Sequence, residues 1–227
     1  MRFVTVIITA PRKVVTIDRS LETFFGQPGS GIPWVFAEPG SYNFYYHNNV
    51  KLIKNHSRRG CFNNWWYAAQ YILHHTRSDY VLMCEDDVNW SRGALATMLD
   101  NMNQTKVLSG WTSNANVTPD ALGWAPMNNL NLFGLCGSLA LLFPRKILAD
   151  VLYHRQMTKQ NQIHLDTIIG FALSDLKIPI YNHHPSLVTH FGANNSTFDL
   201  SKVGEENIAS RICYSNCSPP RREYIRH

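Results

Sequence analysis

Residues 80–88 read Tyr80-Val81-Leu82-Met83-Cys84-Glu85-Asp86-Asp87-Val88. Five mostly apolar residues run into three consecutive carboxylates, and then the chain turns apolar again. An apolar run of this length, with Tyr and Val in it, has the pattern of a buried strand. The three acids at its end do not belong in a core, because unpartnered buried carboxylates are costly and adjacent ones repel. The expectation is a strand whose C-terminal end opens into a crevice that holds a divalent cation and its ligand, the place where open α/β sheets bind ligands. The plain alternative is a solvated turn that happens to be acidic.

The flanking sequence alternates strand and helix patterns. Phe3 to Thr9 is β-branched and apolar, a buried central strand of parallel type. Ala10-Pro11-Arg12-Lys13 follows as a loop, and Ile17 to Phe25 has helical spacing. Pro33 to Ala37 reads as a second strand ending at Glu38. Tyr42 to Ile53 is aromatic and ambiguous. A helix is expected from about Phe62 to Arg77, with Trp65, Ala69, Ile72 and Leu73 as its buried stripe. After the acidic triplet, Asn89-Trp90-Ser91 reads as a cap for a short helix through Leu95, Met98 and Met102.

Val107 to Gly110 is a further strand, and Trp111 to Asn131 an Asn- and Pro-rich loop or distorted hairpin that could cover a site. Leu135 to Phe143 reads as a strand, with Pro144 opening the next helix. Asn161 to Leu176 carries a second helix that begins near Asp166. Ile178 to Ile180 and Pro185 to Val188 are short strands, and His190 follows the latter. The alternation implies an α/β fold with a mainly parallel central sheet flanked by helices.

A chain of 227 residues with 44% hydrophobic and 16% charged residues fits one globular domain with a sizeable core. The reading is a single domain over 1–227: a nucleotide-binding half to about residue 110, an acceptor and catalytic half over about 111–200, and a tail over about 201–227. A net charge of +5 suits a phosphate-bearing partner. Basic residues gather at the two ends and acids near the middle; nucleic-acid binding would explain the first and not the second, so no nucleic-acid partner is expected. Cys213 and Cys217 lack a second pair at zinc-site spacing, so the five cysteines read as free thiols of a reducing compartment. Val4 to Ala10 is too short to span a membrane. The expectation is therefore a soluble, cytoplasmic chain without a transmembrane segment.

Three features line up: the acidic triplet at a strand end, Asp166 opening a helix, and His190 after a late strand. This ordered set resembles the GT-A glycosyltransferases, and most of all N-acetylglucosaminyltransferase-type enzymes and the small GT-A domains of large DNA viruses. The resemblance implies a Rossmann-like GT-A fold with Glu85-Asp86-Asp87 as the D-x-D type motif. It implies Asp166 in His164-Leu165-Asp166-Thr167 as the catalytic acidic residue, and His190 in Pro185-Ser186-Leu187-Val188-Thr189-His190-Phe191-Gly192 as the C-terminal metal-binding histidine. Asp86 would then hydrogen-bond the ribose, and Glu85 would act through water or the sugar. The donor would be a UDP-sugar and the acceptor a glycan or other hydroxyl compound. If the chain is viral, the cytoplasm is that of the host.

Chemistry supports the same assignment. A nucleoside-diphosphate leaving group gains negative charge as it departs, and a divalent cation bridging its phosphates offsets that charge. Hard oxygen ligands suit Mn²⁺ or Mg²⁺, and one imidazole favours Mn²⁺. Asp87 and His190 are assigned as the direct protein ligands. Thr9, Ala10, Pro11 and Arg12 lie on the nucleoside edge. Arg58 and Arg59 precede a helix, where anions are favoured, although either alone reads as solvated surface. Glu38 could meet the base or ribose.

Asp166 is expected as the general base of a single inverting displacement, or as a helix cap, or both. Trp111 and Trp124 could stack on sugar rings or simply pack. Two other readings remain open: a non-haem iron oxygenase using His164, Asp166 and His190, and a non-catalytic sugar- or nucleic-acid-binding module. A phosphoryl-transfer enzyme is disfavoured, since no G-x-x-x-x-G-K-[ST] occurs.

Overall fold

The computed structural model describes residues 2–12, 14–112, 122–128, 130–159 and 164–191. The first strand, β1 (Phe3–Thr9), lies parallel between β2 (Trp34–Ala37) and β4 (Tyr80–Glu85). β3 (Lys51–Lys54) extends the parallel set beyond β2. On the other side of β4 come β8 (Ala140–Pro144), β6 (Val107–Ser109), β9 (Ile180–His184) and β7 (Gly123–Pro126). The order across the eight-stranded sheet is β3-β2-β1-β4-β8-β6-β9-β7. β8 runs antiparallel to β4 and to β6, and β7 antiparallel to β9. The sheet is thus mixed and mostly parallel, in a single α/β domain.

Helices cover both faces because the strands are apolar on both sides. Val6, Ile8, Val81, Met83, Leu141 and Phe143 pack toward α2 (Gly60–His75), α5 (Arg145–Leu152) and α6 (Leu165–Asp175). The alternate residues Ile7, Leu82, Cys84, Ala140 and Leu142 pack toward α1 (Ile17–Phe25) and α3 (Ala94–Asp100). This period-2 split is the strand geometry expressed as two cores. The chain winds outward from β1 through β2 to β3, then returns to place β4 on the opposite side of β1. The C-terminal ends of β1 and β4 therefore flank a topological switch point, where α/β sheets open a crevice.

Several expectations shift. Residues 134–139 are not strand, because Gly134 and Gly137 have φ of 69° and 86°, outside the extended region. Pro144 ends β8 and stands at the N-cap of α5 rather than inside it. Asn89 and Trp90 are not a cap but part of β5 (Val88–Trp90), and Gly93, with φ of 78°, precedes α3. The late strands lie further along than expected, at β9 and at β10 (Val188–His190). The ambiguous stretch before residue 54 holds a 3-10 turn (Tyr45–Asn49) and β3. Cys61 and Cys84 are free, whereas Cys136 is disulfide-bonded, so the free-thiol reading fails there; spacing alone does not reveal pairing. Cys213, Cys217 and the expected tail lie outside the described residues. No helix among those described is long and apolar enough to cross a membrane.

Candidate active site

The acidic triplet sits where β4 ends at the switch point. Ile8 of β1 pairs with Glu85, so Thr9 reaches the next carboxylate, and its Oγ1 donates to Asp86 Oδ2. Arg12 closes over the pair. Its Nε and Nη2 donate to Asp86 Oδ1 at 3.0 and 2.7 Å, and its Nη1 lies 3.0 Å from Asp87 Oδ2. Both carboxylates are almost fully buried, with side-chain exposures of 2% and 1%. One guanidinium fork therefore offsets most of the repulsion between them. Burial and the neighbouring charge still push the Asp86 carboxyl up, against Arg12.

A small antiparallel ladder completes the site. β5 follows the triplet directly and pairs with β10, setting His190 opposite Val88. His190 Nε2 comes to 3.0 Å from Asp87 Oδ2, across 103 residues of sequence. Phe191 N donates to the Asp87 carbonyl, so the ladder fixes this end of the triplet on both sides. Burial opposes the charge on each, yet the imidazole holds Asp87 below the usual carboxylate range, and Asp87 raises His190 in turn. Asp87 Oδ1 is buried and accepts no hydrogen bond. A buried carboxylate oxygen left over beside an imidazole fits a hard divalent cation. Among the described residues no cluster of three or more His, Cys, Asp or Glu could hold a metal, so such a cation would need phosphate or water for its other ligands.

Glu85 projects from the strand's last position. Its Oε1 accepts from Ser138 Oγ at 2.9 Å, and its backbone N–H donates to the Leu139 carbonyl at 3.0 Å. Burial and the Asp87 charge push its carboxyl up to about 7. Asp166 lies in the first turn of α6, as a helix-start acid should. Its Oδ2 accepts from Gly137 N at 2.8 Å and its Oδ1 from Thr167 N at 2.8 Å. Burial nevertheless raises its pKa above the ordinary aspartate value, against these two N–H groups and His164.

A cavity beside Asp86 is lined by Thr9, Ala10, Pro11, Arg12, Ser41 and Asn43. The sequence-chosen residues of the first loop thus share one pocket, and Ser41 and Asn43 join them without a sequence signal. Glu38 does not. Its Oε1 accepts from Arg59 N and Gly60 N at 2.9 and 2.7 Å, where it caps α2. The Arg59 guanidinium lies 4.0 Å from the Tyr67 ring centroid and bonds Asn55 Oδ1, and Arg58 is exposed. Trp111 is core, only 2% exposed, against Gly137. Trp124 is half-buried, edge-on to His183. The iron triad does not form: Asp166 is held by backbone N–H groups, His190 by Asp87, and Thr167–Leu173 is helix. A wider depression at the opposite end of β1 and β4 holds Arg2, Arg145 and Lys146, but these already engage Asp79, the Leu73 carbonyl and Asp150 respectively.

No protein-family model and no curated protein sequence matches this chain. Solved structures do. A nucleotidyl transferase from Methanothermobacter (Mth528) superposes with a TM-score of 0.58 at 10% identity, covering 80% of this chain and 86% of its own. Residues 1–349 of S. aureus TarS superpose with a TM-score of 0.57 at 15% identity, covering 83% of this chain and 59% of that one. The fold is GT-A-like. At such identities the likeness is one of architecture, and the chemistry must be argued from the site.

Proposed function

We propose that this GT-A-like chain is a metal-dependent glycosyltransferase that moves a sugar from a UDP-sugar to an acceptor hydroxyl with inversion. The observation that carries the reading is the meeting of His190 with Asp87, whose second oxygen is buried and unpartnered, at the mouth of the β1–β4 switch point. Asp87 and His190 would hold Mn²⁺ or Mg²⁺, which when bound supplies charge neutralisation to the diphosphate. The nucleoside would lie at the cavity beside Thr9, Ala10 and Pro11, and the ribose would meet Asp86 through Oδ2, the oxygen that only the Thr9 hydroxyl engages. Arg12, which lies against both carboxylates and lines the same cavity, would meet a phosphate as well in this reading.

Asp166 is the base in this reading. Each of its oxygens accepts one backbone N–H, which fixes the plane of the carboxylate and leaves a lone pair on each oxygen for an acceptor hydroxyl. It takes the hydroxyl proton as that oxygen bonds to the anomeric carbon and the bond to the diphosphate breaks on the opposite face. A raised pKa suits that task, because a stronger base accepts the proton more readily near neutral pH. The test is release of nucleotide from a panel of UDP- and GDP-sugars with Mn²⁺. Slow, Mn²⁺-dependent UDP release from one of them is expected, and no release from any would overturn the reading.

A further inference from the structure

A depression of about 400 Å³ opens at the end of the sheet opposite the acidic triplet. That volume is in the range of small-molecule sites, roughly 300–1,000 Å³. Its walls include the residues that precede β1 and β4 and the start of α5. β4 is six residues long, so at about 3.3 Å a residue the depression stands roughly 15–20 Å from the carboxylates of the candidate active site. Four cations line it, Arg2, Arg77, Arg145 and Lys146, against one acid, Asp79.

These charges are not used up internally. Arg2 takes both oxygens of Asp79, through its backbone N–H and its guanidinium. Lys146 meets Asp150 only as an i,i+4 surface pair, with the lysine side chain 83% exposed, and such a pair is worth little. Arg145 Nη2 donates to the Leu73 carbonyl, but Nη1 is buried with no hydrogen-bond partner. Arg77 is exposed and has no ion pair or hydrogen bond among the described residues. The local arrangement also runs against helix electrostatics. Arg145 and Lys146 are the first two residues of α5, where the helix dipole disfavours cations and favours anions. The N-cap is Pro144, which offers no side-chain acceptor, and the first turn carries no acid. Unspent cations, an uncapped helix start and an orphaned guanidinium nitrogen all lack the same thing, an anion with several acceptor oxygens.

We propose that this depression is a second anion site, one that takes the phosphate group of a small phosphorylated molecule. A phosphate presents acceptor oxygens on every side and matches guanidinium forks in pairs. A carboxylate has two oxygens in one plane and serves fewer of these donors at once. The site goes beyond the transferase reading and does not depend on it.

The test is titration of inorganic pyrophosphate into the metal-free chain at constant ionic strength, with amide NMR spectra reporting where it binds. Saturable shifts of the Arg77, Ser78 and Lys146 amides are expected, and far smaller ones with malonate, a dicarboxylate. Arg77→Gln and Lys146→Gln, both at exposed side chains, should keep the spectrum of the folded chain. Each should weaken binding about three- to tenfold, the worth of one hydrogen bond. Vesicles of phosphatidylcholine with phosphatidic acid form a second arm. Sedimentation with them that Arg77→Gln abolishes assigns the phosphate to a lipid headgroup, and pyrophosphate binding without sedimentation assigns it to a soluble ester. Shifts confined to the loop at Ala10 and Arg12, a response that does not saturate, equal shifts with malonate, or unchanged affinity in both variants would overturn the proposal. None of these outcomes bears on the transferase reading, whose diphosphate site lies at the other end of β4.

Discussion

Replacing Arg12 with Met keeps most of the apolar stem and removes the fork that serves Asp86 and Asp87. The Arg12 side chain is 9% exposed and the two carboxylates nearly buried, so water does not take over its role. Removing one partner of a buried ion pair costs about 3–5 kcal/mol, because a charge is left uncompensated. For a domain of this size that corresponds to a fall in Tm of roughly 6–20 °C. The sign with pH follows from the acids. Without Arg12 the folded pKa of Asp86 rises further and that of Asp87 climbs from its lowered value, so the variant's deficit is fully present while wild-type carboxylates are ionised. It shrinks as pH falls and the variant protonates them. Thermal unfolding of both proteins in metal-free buffer at pH 7.5 and pH 4 measures this. A drop below about 2 °C at neutral pH, or a deficit that grows on acidification, would refute the claim that Arg12 neutralises the pair.

Asp166→Asn should leave UDP affinity nearly unchanged and lower transfer by about 10²- to 10⁴-fold; affinity collapsing together with rate would move Asp166 to the donor site or the fold. In wild type, burial lifts Asp166 above its ordinary value. Transfer should therefore rise with pH through a range above the usual aspartate pKa and then level, and this limb should vanish in the Asn variant. Glu38→Ala should cost about 1–3 kcal/mol, since it strips two N–H groups of α2 of their buried acceptor. It should leave UDP affinity within about threefold, less than one typical hydrogen bond. Calorimetry beside urea unfolding separates the two, and a large loss of affinity without loss of stability would restore Glu38 to the nucleotide.

Much of this was legible because strong local patterns met strong physics. β1 and β4 are largely apolar runs, and three acids at the end of the second are out of place in a core. The boundaries of β1 and α1 coincide with the sequence reading. The candidate base was readable as an acid opening an apolar helical run; Asp166 lies in the first turn of α6, with His164 and not Asp166 at the N-cap. The 134–139 segment, between α4 (Leu130–Phe133) and β8, was not. Its leucines and small residues imitate a buried strand, and only Gly134 and Gly137 signalled otherwise, by the rule that isolated glycines in a strand pattern mark a close backbone approach. Ser138 had no signal at all, since its bond to Glu85 depends on a strand returning antiparallel beside β4. Glu38 misled for a related reason: an acid ending a strand beside the switch point looks like a ligand contact, but α2 begins close by and takes it as a cap.

In the proposed mechanism Asp87 and His190 form a cation–diphosphate site. Calorimetric titration of UDP with and without Mn²⁺, into wild type and His190→Ala, tests it most directly. Micromolar binding that requires Mn²⁺ and weakens in the variant is expected. Equal binding with and without Mn²⁺, or a His190→Ala protein indistinguishable from wild type, would contradict it.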